Sequence, residues 1–218
     1  MKTADIETII FDFGGVIIDI DPMLTMNEFA RLGARELDPD EIQDMINTLV
    51  RRFERGIFTP EIFRQRMMDY LQFKASAQEF DDAWNALLFD IPKERVKVIE
   101  KAKKNYQIYL LSNSNEIHYD LYVRDLQLRF GYTEFDDLFE KAFFSFDLHM
   151  TKPDLEIYEF VIYQNGLDPS KTLFIDDTEE NVLAARKLGL QGYLLRKPER
   201  VRDLFNKGKL IEELKTDQ

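Results

Sequence analysis

The residues able to do chemistry fall in four small polar clusters, most of them ending an apolar run. Asp12 ends Thr8-Ile9-Ile10-Phe11 and is followed by Phe13-Gly14-Gly15, and Asp176 and Asp177 end Thr172-Leu173-Phe174-Ile175. Ser112 and Asn113 follow the apolar stretch 107–111, and Lys152 stands in Thr151-Lys152-Pro153 ahead of a helical pattern. Adjacent carboxylates at the end of a buried strand repel each other unless a cation or strong donors compensate. Two or three carboxylates with a backbone carbonyl and waters suit Mg²⁺, a hard cation that takes oxygen ligands. A hydroxyl, backbone N–H groups at a helix start and one lysine suit the oxygens of a phosphate. Such a set could transfer a phosphoryl group: Asp12 attacks phosphorus while Lys152 and Mg²⁺ neutralise charge. Each cluster alone has a commoner structural reading, as a loop aspartate, a helix cap or a surface lysine. Four of them in this order argue for a site.

A parallel sheet would bring the clusters to one edge. Residues 8–13, 107–111, 172–175 and, more weakly, 191–195 read as strands buried on both faces. Helical patterns at 92–105, 115–130, 154–165 and 179–188 alternate with them, which implies βαβ units. The expected fold class is α/β, with a Rossmann-like, doubly wound parallel sheet as core. Residues 19–91 break the alternation with helices alone. Asp38-Pro39 and Thr59-Pro60 start helices with a capping residue and an N1 proline, Ser76 with Glu79 forms a capping box, and Gly56 marks a turn. We therefore expect residues 1–18 and 92–218 to form the core and 19–91 an inserted helical cap. The cap should sit over the carboxyl ends of the strands, where open α/β sheets bind ligands. Asp19 and Asp21 read as hinge or helix-start residues, and the Lys- and Glu-rich tail beyond Pro198 as a solvated helix.

Composition excludes several function classes. A net charge of −12 over 218 residues argues against nucleic acid as a partner, because phosphate backbones need clustered Lys and Arg. It leaves room for a small phosphorylated metabolite, which needs one positive pocket. With no cysteine there is no disulfide, thiolate chemistry or Cys-ligated metal, and His118 and His149 are too few for a zinc site. No apolar run is long enough to span a membrane, and residues 1–5 lack signal-peptide character, so a cytoplasmic protein is expected.

The four clusters resemble, in order and in the elements that carry them, the motifs of the haloacid dehalogenase superfamily, in particular members with a helical C1 cap. The resemblance implies Asp12 as nucleophile, Ser112 and Asn113 as phosphate-binding residues, and Lys152 as the motif lysine. It further implies a Mg²⁺ held by Asp12, the backbone carbonyl of Gly14 and Asp177, with Asp176 binding directly or through water. Asn181 replaces an aspartate common in the family, and its amide can still orient waters. More narrowly, Phe-Asp-Phe-Gly-Gly-Val, Leu-Ser-Asn-Ser-Asn at 111–115 and Glu-Arg-Gly at 54–56 are similar to bacterial α-D-glucose-1-phosphate phosphatases and related sugar-phosphate phosphatases. The implied activity is Mg²⁺-dependent hydrolysis of a phosphomonoester through an aspartyl-phosphate, with a sugar phosphate such as glucose 1-phosphate as substrate.

Gly14 departs from that pattern. Most phosphatases of the superfamily carry there an aspartate that protonates the leaving group and later activates water. General acid–base catalysis is worth about 10²–10⁴ in rate. His118, Glu54 and Arg55 are the candidates to supply a proton or contact the substrate. Two other readings follow from the same departure: a metal-independent 2-haloacid dehalogenase, and a catalytically weakened phosphate- or partner-binding module.

Overall fold

Ile9, Ile10 and Phe11 are fully buried although successive side chains of a strand point to opposite faces, so this strand is covered on both sides. Ile9 and Phe11 belong to one apolar cluster and Ile10 to another, which places a core on each face of the sheet. The computed structural model describes residues 3–214. In chain order it runs β1 (Thr8–Phe11), α1 (Pro22–Arg31), α2 (Pro39–Met45), a π-helical turn (Ile46–Val50), α3 (Arg51–Glu54), α4 (Pro60–Leu71) and α5 (Ala77–Asn85). Next come α6 (Lys93–Ala102), β2 (Gln107–Ser112), α7 (Glu116–Phe130), the short α8 (Phe135–Leu138), β3 (Lys141–Phe144) and the short α9 (Ser145–Leu148). The chain then forms α10 (Leu155–Asn165), β4 (Thr172–Asp176), α11 (Glu179–Lys187), β5 (Gln191–Leu194), β6 (Phe205–Asn206) and β7 (Lys209–Leu210).

The five main strands are parallel in the order β3-β2-β1-β4-β5. Strand order reverses beside β1, so the crevice at the carboxyl ends of β1 and β4 is the natural ligand site of this sheet. The expected doubly wound core is present, with strand and helix bounds within about three residues of the sequence reading. Two elements differ. β3 has no counterpart in the sequence reading, because only Phe143 and Phe144 of this edge strand are buried. The tail beyond Pro198 is not a helix in the described residues: a 3₁₀ turn (Val201–Leu204) leads into the hairpin β6–β7. Val201, Leu204, Leu210 and Leu214 are buried in the sheet's core, and Gly208 at φ +86° turns the hairpin where a side chain would collide with Lys101.

The helices of 22–85 bury an aromatic-rich cluster of their own, in which Phe29, Phe53, Phe63, Phe80 and Trp84 pack together, joined by Ile117 of α7. Their starts follow the sequence signals. Asp38 and Ser76 form capping boxes, Thr59 caps α4, and Asp21 caps α1. The chain enters and leaves this segment side by side, with the Asp21 N–H donating to the Leu87 carbonyl at 2.9 Å and the Phe89 N–H to the Asp19 carbonyl at 3.2 Å. Asp19 also receives the Arg95 and Arg200 guanidinium groups at 2.9 Å; these outweigh its partial burial and hold its carboxyl below the usual range. Among the described residues no helix is long and apolar enough to cross a membrane.

Candidate active site

Asp12 follows β1 directly, and its backbone N–H donates to the Ile175 carbonyl of β4 at 2.9 Å, so its place is fixed by the sheet. Lys152 arrives from the loop before α10. Its ammonium, with a side chain 1% exposed, donates to Asp12 Oδ1 at 2.5 Å and to Asp176 Oδ2 at 2.7 Å. Asn113, after β2, holds that loop: its Oδ1 accepts from the Lys152 N–H and its Nδ2 donates to the Lys152 carbonyl, both at 2.9 Å. The Asn113 side chain thus uses its oxygen and one N–H to place Lys152, a positioning contact beyond the phosphate contact expected of it.

The two aspartates that end β4 differ in environment. Asp176 is fully buried, with Oδ1 accepting from the Thr178 N–H at 2.8 Å and both oxygens accepting from the Asn181 amide at 3.1 Å. Asn181 is itself buried, and its carbonyl accepts the Tyr158 hydroxyl at 3.0 Å. Asp177 is exposed and lies against Gly15. Oxygens of Asp12, Asp176 and Asp177 come within 4.8 Å of one another, a spacing that fits one divalent cation. Asp12 and Asp177 retain oxygens not engaged by protein donors, whereas both Asp176 oxygens are engaged.

Electrostatics match this crowding. Burial pushes the Asp12 carboxyl up to about 7; Lys152 works against the shift, and Asp176 and Asp177 add to it. Burial also disfavours the Lys152 ammonium, but Asp12 and Asp176 outweigh it and hold its pKa above the usual lysine value. Asp177 is raised by partial burial and then by Asp176.

Gly14 and Gly15 have different duties. Gly15 has φ +74°, and a Cβ there would lie 1.9 Å from Asp177 Oδ2. A Cβ on Gly14 would only touch the Ile20 side chain, at 3.5 Å. Gly15→Ala is therefore expected to cost about 1–2 kcal/mol in backbone strain alone, and to displace Asp177, cutting activity at least tenfold. Gly14→Ala should melt within a few degrees of wild type. Thermal melts and kcat/KM of the two variants check the contrast, and equal behaviour would contradict it.

Asp12, Gly14, Asn113, Lys152, Asp177 and Asn181 line one cavity of about 430 Å³. Glu54 and Arg51 of α3 line it from the helical segment, and Thr151, Thr178 and Glu180 add polar walls. Arg51 escaped the sequence reading, since the π-helical turn just before it sets the face on which it emerges. Ser112 is buried at the end of β2, its hydroxyl donating to the Asn113 carbonyl at 3.3 Å, and it is not part of the cavity wall.

Two expected contacts are corrected. His118 is buried and is not part of the cavity wall. Its ring stacks on Trp84 with centroids 5.1 Å apart, its Nδ1 lies 2.8 Å from Asn85 Oδ1, and burial pushes its pKa down to about 3. A ring that is neutral at physiological pH and packed between α5 and α7 is not a proton donor to the site. Arg55 also misses the cavity wall: its Nε donates to Thr151 Oγ1 at 3.0 Å and its guanidinium pairs with Asp154. It ties the end of α3 to the loop that carries Lys152.

A family model for haloacid dehalogenase-like hydrolases matches residues 6–189. A D-ribitol-5-phosphate phosphatase of Bacteroides thetaiotaomicron is 29% identical over 188 residues, covering 86% of this chain and 91% of its own. A sesquiterpene phosphatase of Aspergillus oryzae is 28% identical, over 84% of this chain and 86% of its own. Among solved structures, a haloacid dehalogenase-family enzyme of Bacteroides thetaiotaomicron in complex with magnesium and inorganic phosphate superposes with a TM-score of 0.83. It is 32% identical, and the match covers 92% of this chain and all of that one.

Proposed function

Because the chain belongs to the haloacid dehalogenase-like hydrolases, we propose that it is a Mg²⁺-dependent phosphomonoesterase of small phosphorylated sugars or polyols, with Asp12 as nucleophile. The observation that carries this reading is the Lys152 ammonium bridging Asp12 and Asp176, with Asp177 beside them, at the open end of the sheet. In the proposed reaction an Asp12 oxygen attacks phosphorus in line with the leaving oxygen, giving an aspartyl-phosphate that water then hydrolyses. Lys152 neutralises charge on the phosphoryl oxygens, and Asn113 holds it in place. Asp12, the Gly14 carbonyl and Asp177 would hold Mg²⁺, with Asp176 acting through water because its own oxygens are engaged by protein donors. When bound there, the cation supplies positive charge to the phosphoryl oxygens and opposes the upward shift of Asp12. The helical segment 19–91 serves as a cap, since Arg51 and Glu54 reach the same cavity.

The cavity wall favours a polyhydroxylated substrate. Apart from Gly14, only Ile20 and Pro153 among its lining residues are apolar, which suits a sugar or polyol phosphate better than a terpenoid one. The carboxylate trio weighs against a 2-haloacid substrate, whose own carboxylate it would repel. The named relatives support a phosphatase. The test is inorganic phosphate release from a panel that includes D-ribitol 5-phosphate, glucose 1-phosphate and glucose 6-phosphate, with Mg²⁺ and with EDTA. We expect release from at least one polyol or sugar phosphate, falling more than about 100-fold in EDTA. No release, or release indifferent to EDTA, overturns the reading.

A further inference from the structure

The cavity contains an acid that the motif at Asp12 does not supply. We propose that Glu54 of the helical segment is the general acid–base of the reaction, standing in from the cap side for the carboxyl that Gly14 cannot provide. The proposal rests on the phosphatase reading above.

Geometry comes first. Glu54 is the last residue of the helical run 39–54 and lines the same cavity as Asp12, Gly14 and Lys152. It reaches that cavity from the helical segment, whereas Asp12 and Lys152 reach it from the sheet and its loops. Its side chain is partly buried and, among the described residues, makes no hydrogen bond or ion pair with another side chain. The acids at the sheet edge have other roles in the phosphatase reading: Asp12 is the nucleophile, Asp176 holds Lys152 and Asp177 is a cation ligand.

The position of Glu54 is also built. Arg55 binds Thr151 and Asp154, and the Arg55 carbonyl lies 2.9 Å from His149 Nδ1. Gly56, at φ +64°, packs so closely on the core that a Cβ would lie 2.3 Å from the Phe146 carbonyl oxygen. These contacts dock the end of α3 onto the segment that leads to Lys152, so acid and nucleophile share one frame.

Charge agrees with the role. Burial pushes the Glu54 carboxyl up to about 7, although Arg51 on its own helix and Lys152 across the cavity work against the shift. Asp12, Asp177 and Glu180 line the same cavity, Tyr122 is near enough to feel the charge of Glu54, and the carbonyl end of the helix further disfavours a carboxylate. An acid with a pKa near the working pH both gives and takes a proton.

The proton and electron count closes over the two steps. As the Asp12 oxygen bonds to phosphorus, the bond from phosphorus to the leaving oxygen breaks and that oxygen takes the proton of Glu54. The Glu54 carboxylate then accepts a proton from the water that attacks the aspartyl-phosphate. Phosphate leaves, and Asp12 and Glu54 return to their starting states.

Leaving groups of different quality separate this role from a structural one. Glu54→Gln is compared with wild type on p-nitrophenyl phosphate, whose phenolate departs unaided, and on D-ribitol 5-phosphate, phenyl phosphate and glucose 6-phosphate, which leave poorly. We expect kcat/KM, which reports transfer to Asp12, to fall about 10²–10³-fold on the poor leaving groups and less than about tenfold on p-nitrophenyl phosphate, with a melting temperature near that of wild type; kcat, which includes the shared hydrolysis of the aspartyl-phosphate, falls on every ester. A merely structural residue would lower all substrates alike. Equal losses of kcat/KM on all esters, or no loss, overturn the assignment. If wild type hydrolyses none of the four esters, the phosphatase reading itself falls and takes this assignment with it.

Discussion

Asp12→Asn is expected to lower kcat on the order of 10⁴–10⁶-fold, as loss of a covalent nucleophile does elsewhere, while leaving the fold at least as stable as wild type. The amide keeps the shape of the carboxylate but cannot attack phosphorus. Its neutrality relieves a conflict that the native residue carries. The buried Asp12 carboxyl is pushed from its ordinary 3.8 up to about 7, first by burial and then by its acidic neighbours, with Lys152 only partly offsetting them. A carboxyl whose folded pKa lies above its unfolded value binds more protons when folded. Its contribution therefore turns against the fold as pH rises from about 4 to 7, and is fully unfavourable above 7. The Asn variant lacks that penalty, and Lys152 keeps Asp176 as partner. In metal-free protein the variant should match or exceed wild type by on the order of 1 kcal/mol at pH 8, with the gain vanishing toward pH 4. Urea denaturation at both pH values and single-turnover kinetics check this. A variant that turns over normally would remove Asp12 from the role of nucleophile, and one that is clearly less stable at pH 8 would mean that pairing with Lys152 outweighs the burial of the carboxylate.

This prediction is within reach of the sequence because the residues that matter end apolar runs. Asp12, Ser112 and the Asp176/Asp177 pair are marked by the change from buried strand to polar loop, a purely local signal. The helix caps are legible for the same reason, since Asp38, Thr59 and Ser76 act within three residues of themselves. What is not legible depends on contacts distant in sequence. His118 reads as a candidate proton donor at the site, but Trp84, 34 positions earlier, covers its ring and Asn85 binds it. The apolar residues of the tail fold into a hairpin because they pack under α6 and against β1, where Phe205 meets Phe11. Arg51 enters the cavity at the far side of a π-helical turn that no periodicity in residues 46–50 announces. Arg55 stands out in the sequence as a substrate contact, but its partners are Thr151 and Asp154, about a hundred residues on, beside Lys152.

Lys152→Met is expected to lower both activity and stability, which separates it from the Asp12 variant. Methionine keeps the apolar stem in a space that is closed to solvent, so packing changes little and the loss is one of charge. For activity, removing a cation aimed at the phosphoryl oxygens should cost about 10²–10³ in kcat. For stability, breaking a buried pair by removing one partner costs about 3–5 kcal/mol, because Asp12 and Asp176 are left facing each other at the site of the lost ammonium. The deficit depends on pH with a definite sign. Without Lys152 the folded pKa of Asp12 rises further above its unfolded value, so the variant gains stability relative to wild type as pH falls and the carboxyls take up protons. The difference between the two proteins should therefore be largest above pH 7 and shrink toward pH 4. Combining the two substitutions tests the cause. In an Asp12→Asn background one of the stranded charges is already gone, so Lys152→Met should cost at least about 1 kcal/mol less than it does alone. A cost that is unchanged by pH and by the Asn background would mean that Lys152 acts through packing, and that Asp176 with its Thr178 and Asn181 donors holds the carboxylate cluster together without it.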